Sequence, residues 1–155
     1  MKKKKQYSKS KKRILFRADG SVSIGYGHII RLLSLCSILR KEYRCVFTTQ
    51  NPDKYLIDQI KENCDELIVL PKTKNLTKEA LYISNNISNP NDIIILDGYN
   101  FDTNYQRQIK TNVFKLVCID DNHEIDFVAD AIINHGEGIR QKDYVTKNYT
   151  RIYLG

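Results

Sequence analysis

The sequence lacks several features that would each have fixed a class of function. No two of its four cysteines (Cys36, Cys45, Cys64 and Cys118) form a C-x-x-C pair, which excludes the common zinc knuckle and the thioredoxin-like redox motif. Buried free thiols are the expectation for them, because free cysteine behaves as a small hydrophobe. No apolar run approaches the ~18 residues of a membrane-spanning helix. The basic N-terminus is followed by neither an apolar stretch nor a small-residue cleavage site, so it does not read as a secretory signal. A soluble, cytoplasmic protein without a membrane partner is expected.

The first thirteen residues contain no acidic side chain, yet they hold eight of the 25 basic ones: Lys2, Lys3, Lys4, Lys5, Lys9, Lys11, Lys12 and Arg13. The formal charge of +7 is therefore misleading. The other 142 residues carry 17 basic against 18 acidic side chains, a balance of −1. Residues 1–13 are expected to be a disordered basic tail, and deleting Met1 to Lys12 is expected to leave the fold intact. A nucleic-acid partner is disfavoured, since the tail carries no aromatic platform beyond Tyr7 and the near-neutral body offers no basic groove.

The 155 residues suit one domain, and an apolar content of 41% can fill a core. There are no internal repeats. Apolar stretches of strand length alternate with helix-length ones. Strands are expected at Ile14–Arg17, Cys45–Thr49, Glu66–Leu70, Ile93–Leu96, Lys115–Ile119, Ala129–Ile133 and Ile152–Leu154. Helices are expected at His28–Lys41, at Pro52–Asn63 with Asn51 as cap, from a Thr77 cap to about Asn85, and at Asp102–Lys110. Glu66 and Glu79 read as ordinary surface charge. Such alternation predicts a Rossmann-like, doubly wound α/β domain over residues 14–155, a parallel sheet with helices on both faces.

Ligands of open α/β sheets bind beyond the carboxyl ends of the strands. Four segments occupy those places: Arg17-Ala18-Asp19-Gly20 leading to Gly25-Tyr26-Gly27-His28, then Asp97-Gly98-Tyr99, Asp120-Asp121-Asn122-His123, and Asn134-His135-Gly136. The first holds G-x-G ahead of a helix, but Ile30 stands at the third glycine position and the second strand ends without an acidic ribose ligand. A dinucleotide cofactor is therefore not expected. No Walker A loop is present either. The spacing of Asp97, Asp120, Asp121, His123 and His135 is not that of a metal site.

His28 opens a helix whose positive end disfavours an imidazolium, the condition for a general base near neutral pH. It reads equally as a helix cap with a solvated ring. Tyr99, in a loop at the sheet edge, has a phenol suited to stacking on or hydrogen-bonding a sugar. It reads equally as an exposed loop residue, and the aspartates equally as turn formers.

Together, R-A-D-G-S-V-S-I-G-Y-G-H-I-I-R-L-L-S-L (Arg17 to Leu35), D-G-Y-N-F-D, C-I-D-D-N, A-D-A-I-I-N-H-G and the closing Y-L-G resemble successive motifs of the nucleotide-sugar hydrolase family of pseudaminic acid synthesis. That family removes UDP from UDP-2,4-diacetamido-2,4,6-trideoxy-β-L-altropyranose. The resemblance runs from about Arg13 to Gly155, and the I-G-x-G-H-x-x-R element carries most of its weight. More distantly, the family resembles the glycosyltransferase that adds N-acetylglucosamine in peptidoglycan precursor synthesis. Both have the glycosyltransferase-B architecture, two Rossmann-like domains facing across a cleft.

The resemblance implies that His28 activates the attacking water and that Tyr99 is an active-site tyrosine. It implies that Arg17, Asp19, Gly25, Tyr26, Gly27 and Arg31 shape the sugar pocket, and that Asp97, Asp121 and Asn134 line it. The implied reaction is metal-independent hydrolysis of a UDP-linked amino sugar at its anomeric carbon, with no cofactor. Alternatives are the acceptor-binding half of a glycosyltransferase in polysaccharide biosynthesis and a non-catalytic sugar-binding subunit.

The family would continue past Gly155 into a C-terminal nucleotide-binding domain, so that partner is expected in cis or as a separate chain. Remote binding of the UDP positions the sugar for attack, and its loss lowers kcat as well as affinity. The 155-residue chain alone is therefore expected to release little or no UDP from the intended substrate. Rapid UDP release by the purified chain, followed by phosphorus NMR, would contradict this.

Overall fold

A computed structural model describes residues 11–155, in which strands and helices alternate. They are β1 (Arg13–Arg17), α1 (Gly27–Leu39), β2 (Arg44–Gln50), α2 (Lys54–Asn63), β3 (Glu66–Leu70), α3 (Leu76–Asn86) and β4 (Ile93–Asp97). There follow α4 (Thr103–Lys110), β5 (Lys115–Ile119), β6 (Asp126–Phe127), β7 (Ala131–Asn134), β8 (Val145–Thr146) and β9 (Arg151–Leu154). Seven of these strands form one sheet in the order β3-β2-β1-β4-β5-β7-β9. All its neighbouring pairs are parallel. The chain runs outward from β1 to β3, then returns to the centre to lay β4 against the other side of β1. The expected Rossmann-like α/β fold is thus present, with its switch point between β1 and β4. Strands β6 and β8 pair separately. At two residues each, they are too short to leave a periodicity in the sequence.

Alternation along the central strands decides which helices each face meets, because successive side chains of a strand point to opposite sides. Ile14 and Phe16 of β1 pack with Ile29, Leu32, Leu33 and Cys36 of α1 and Leu56 and Ile60 of α2. Leu15, between them, joins Ala80 and Ile83 of α3 and Tyr105 and Ile109 of α4. The centre of the sheet is covered on both sides, which is why β4 reads as an apolar run.

Several boundaries differ from the sequence expectation for identifiable reasons. Most of the expected 1–13 tail lies outside the described residues, but Arg13 is the first residue of β1, not part of a tail. Its guanidinium reaches Asp92 at 2.6 Å and the Ile87 carbonyl at 2.7 Å. Asn51 does not cap α2, because its backbone is left-handed (φ 42°) and a cap needs extended geometry. Asp53 takes that place, extended at φ −74°, its side chain accepting from the Leu56 amide. Asn75, not Thr77, caps α3 by accepting from the Lys78 amide. Strand β7 starts at Ala131, not Ala129; just before it, the Asp130 carboxylate accepts from the Leu116 amide, Lys110 and Lys115 at the start of β5.

No helix among the described residues is long and apolar enough to cross a membrane. Ile60 anchors α2 with no exposed surface. Truncating it to alanine is expected to lower stability by about 2–5 kcal/mol, the range for a buried aliphatic side chain whose cavity only partly collapses. Urea unfolding of Ile60→Ala measures this, and a loss under about 1 kcal/mol would mean that α2 packs loosely.

Candidate functional site

The two central strands both end on a charged residue, and their side-chain alternation sends the two residues opposite ways. Asp97 ends β4 in line with Ile93 and Ile95, so it points toward α1. Arg17 ends β1 in line with Leu15, so it points toward α3 and α4. Each is almost wholly buried, with 0% and 1% exposure. A buried charge is tolerated only where partners surround it.

Asp97 finds its partners on the first turn of α1. His28 Nδ1 lies 2.7 Å from Asp97 Oδ1. Arg31, one turn along the same face, donates Nε to Oδ2 at 2.7 Å and Nη2 to Oδ1 at 2.5 Å. Arg31 also reaches Asp121 at 3.3 Å and lies 3.4 Å from the His135 ring. Asp97 and Asp121 are therefore bridged by a guanidinium instead of sharing a proton as a carboxylate pair. The Tyr99 ring meets the His28 ring edge-on, with centroids 4.9 Å apart. Interaction with Asp121 pushes the Tyr99 phenol above its ordinary value. Burial works to raise Asp121, but Tyr99 and Arg31 outweigh it and hold the carboxyl below the usual range.

A cavity of about 190 Å³ opens beside this cluster, lined by Asp19, Ile24, His28, Gly98, Tyr99, Asn100 and Phe101. Gly98 allows its wall to form, because a Cβ there would come within 3.0 Å of the Phe101 ring. On the opposite rim the 21–25 loop closes on itself through the Gly25 amide and the Ser21 carbonyl at 2.8 Å. Gly25 has φ 81°, a conformation that glycine adopts without strain.

Arg17 is held by two carboxylates. Its Nε and Nη2 bond Glu79 of α3 at 2.8 and 2.9 Å, and Nη1 and Nη2 bond Asp19 at 2.5 and 2.7 Å. Glu79 is 2% exposed and also accepts from the Tyr105 hydroxyl at 2.7 Å and from the Gln50 side chain. The expectation of ordinary surface charge at Glu79 is thus wrong. Asp19 accepts in addition from the Gln50 amide at 2.9 Å and the Thr49 hydroxyl at 3.2 Å. Burial works to raise the Asp19 carboxyl, but Arg17 and these donors hold it below the usual range. Arg17 thereby serves the site from beneath, fixing Asp19 on the cavity wall with no donor face of its own toward the cavity.

Of the residues expected to shape or line the pocket, Asp19 lines this cavity, whereas Asn134, Tyr26 and Gly27 lie away from it. Asn134 is 1% exposed; its amide nitrogen donates to the Tyr144 hydroxyl at 2.7 Å and its oxygen accepts from the Gly136 amide at 2.6 Å. It follows Ile132 on the inward face of β7 and supports the 134–136 turn from below. Tyr26 turns its phenol to Asp53 at the start of α2, 2.7 Å away, beside Tyr55. Gly27 is the first residue of α1, where an added Cβ would meet nothing within 4 Å. Asp120 accepts from the Tyr144 hydroxyl and the His123 amide, the work of a turn residue. Among the described residues, no three His, Cys, Asp or Glu side chains are placed to hold a metal ion.

No family model matches the chain. No solved structure matches it either. An uncharacterized protein of Methanocaldococcus jannaschii is 28% identical over 149 residues, an overlap of 92% of this chain and 29% of that protein. The chain thus spans less than a third of the length of this curated relative.

The lowered Asp19 pKa carries a pH dependence. A carboxyl whose folded pKa is depressed contributes stability at pH values above its unfolded value of about 3.9, and that contribution is lost as pH falls through the folded value. Asp19→Asn is therefore expected to melt below the wild type at pH 5–8, with the gap closing as the pH drops below about 4. Thermal melts across pH test this, and a gap that stays constant into acid would remove Asp19 from the charge network.

Proposed function

We propose that the chain is the sugar-side domain of a glycosyltransferase-B-type nucleotide-sugar hydrolase, with His28 as the base that activates water for attack on an anomeric carbon. The observation that carries the reading is the contact between His28 and the buried Asp97 at the mouth of a cavity on the switch-point edge of the sheet. With Nδ1–H donating to Asp97, the other ring nitrogen, Nε2, is the proton acceptor. Asp97 fixes that tautomer and stands ready to stabilise the imidazolium that forms when water gives up its proton. Arg31 clamps both Asp97 oxygens, so the carboxylate cannot rotate away from the ring.

The reaction suits a site of this modest equipment. A positioned base supplies typically about 10²- to 10⁴-fold in rate, or about 3–5 kcal/mol. UDP is a good leaving group and needs less acid assistance than an ordinary glycoside, so the two-carboxylate pattern of glycosidases is not required. Water attacks the face of the sugar opposite the departing diphosphate, and charge builds on an oxocarbenium-like carbon. The Tyr99 phenol and the Asp19 carboxylate line the cavity as hydrogen-bonding groups for the sugar, and Ile24 and Phe101 supply its apolar surface. A nucleotide-binding domain, in cis or as a separate chain, holds the UDP.

Titrating UDP-linked diacetamido-trideoxy sugar into the nitrogen-15-labelled chain is expected to shift the Tyr26–His28 and Gly98–Tyr99 amides, while UDP alone leaves them in place. Where UDP release is measurable with the nucleotide-binding partner present, His28→Gln is expected to lower kcat by roughly 10²- to 10⁴-fold with the fold intact. Unmoved amides with millimolar sugar nucleotide, or an unchanged kcat in His28→Gln, overturn the reading.

A further inference from the structure

Away from the sheet edge, three of the four cysteines meet where α1 packs on α2. Cys36, on the inner face of α1, has its sulfur 2.8 Å from that of Cys64, the residue that ends α2. Cys45, at the start of β2, reaches the carbonyls of Cys36 and Tyr43, each at 3.9 Å, and its thiol neighbours that of Cys36, but the short sulfur–sulfur approach is the one between Cys36 and Cys64. Cys118 belongs to the core on the opposite face of the sheet. The four thiols are all reduced and buried.

We propose that Cys36 and Cys64 form a modification site, a thiol pair that a hydroperoxide oxidises to an intramolecular disulfide. The sulfurs, 2.8 Å apart, need to close by less than about 1 Å to reach the bonded distance of ~2.05 Å. Exposure and position set the order of events. Cys64 is 4% exposed and Cys36 0%, and Cys64 sits at a helix terminus, where local opening is least costly.

The Cys64 thiolate attacks the terminal peroxide oxygen, forming a sulfenic acid as the O–O bond breaks; the alkoxide leaves, or hydroxide from hydrogen peroxide, and takes up the proton that the Cys64 thiol gave up. The Cys36 sulfur then attacks the Cys64 sulfur, its proton joining the departing hydroxyl as water. Two thiols and one hydroperoxide thus give one disulfide, one water and the alcohol of the peroxide, or a second water for hydrogen peroxide. Contact with the Cys64 thiol and burial push the Cys36 thiol up, so its closure of the disulfide is slow compared with that of an exposed redox pair.

The bond would tie α1 to the end of α2 across 28 positions of chain. Helix α1 carries His28 and Arg31 on its first turn, and Tyr26 before it is held by Asp53 at the other end of α2. Oxidation therefore adds a covalent brace to the helix that presents the Asp97 partners. This inference does not depend on the hydrolase reading.

The test uses the purified chain treated with hydrogen peroxide, then denatured and alkylated. Intact mass is expected to show the loss of two hydrogens and two alkylatable thiols. The peptide map is expected to join the Cys36 and Cys64 peptides, with dithiothreitol reversing both changes. Cys45→Ala and Cys118→Ala are expected to keep the link, and the oxidised wild type is expected to melt roughly 5–12 °C above the reduced form. Four thiols still alkylatable after peroxide, or a link joining any other pair or two different chains, overturns the proposal. The wild-type peptide map alone decides between these outcomes, whatever the variants do.

Discussion

A strand alternates its side chains between two faces, and in this fold the two central strands, β1 and β4, each spend their last residue on a charge. Burial of those two charges is the constraint around which the sheet edge is organised. Asp97 faces α1 and is satisfied by His28 and Arg31; Arg17 faces α3 and α4 and is satisfied by Glu79 and Asp19. Neither group could be left alone, since an unpaired buried charge costs several kcal/mol. The first turn of α1 and the interior face of α3 are thereby committed to particular positions relative to the sheet.

Buried ion clusters of this kind add little net stability, because desolvation takes back most of the Coulombic gain. Their effect is positional. The Arg17 cluster binds Asp19, Gln50, Glu79 and Tyr105 into one body, drawing on β1, β2, α3 and α4. The Asp97 cluster joins β4 to α1 and, through Arg31, to the segment after β5. The cavity lies between the two clusters, with Asp19 on one wall and His28 on another. Its walls are set from opposite faces of the same sheet.

Much of this was legible in the residues. Apolar stretches of alternating length marked every strand of the main sheet, and the His28–Arg31 spacing put both side chains on one helix face. Asp97, one position past an apolar run, was marked as a strand-end residue. The place of Asn134 at a strand end is legible in the sequence, but its direction is not. In the folded strand Asn134 follows Ile132 at an interval of two and so turns inward. Glu79 stands three residues after Leu76 and four before Ile83, on the buried stripe of α3, yet a carboxylate reads as surface until its partner is known. That partner, Arg17, is 62 positions away and unreachable by local pattern. The shift of the α2 cap from Asn51 to Asp53 depends on a left-handed backbone that spacing does not encode.

The strand order has a consequence for how the molecule comes into being. His28 and Asp97 are separated by 69 positions, and β4, which follows β2 and β3 in the chain, lies on the other side of β1 from them. Long-range parallel pairings of this kind pay their loop-closure entropy before any contact rewards it, which makes them slow steps in folding. Until β4 docks, the first turn of α1 has no buried carboxylate to grip, and the imidazole and guanidinium it carries remain ordinary surface groups. Docking of β4 against β1 and creation of the His28–Asp97 contact are one event.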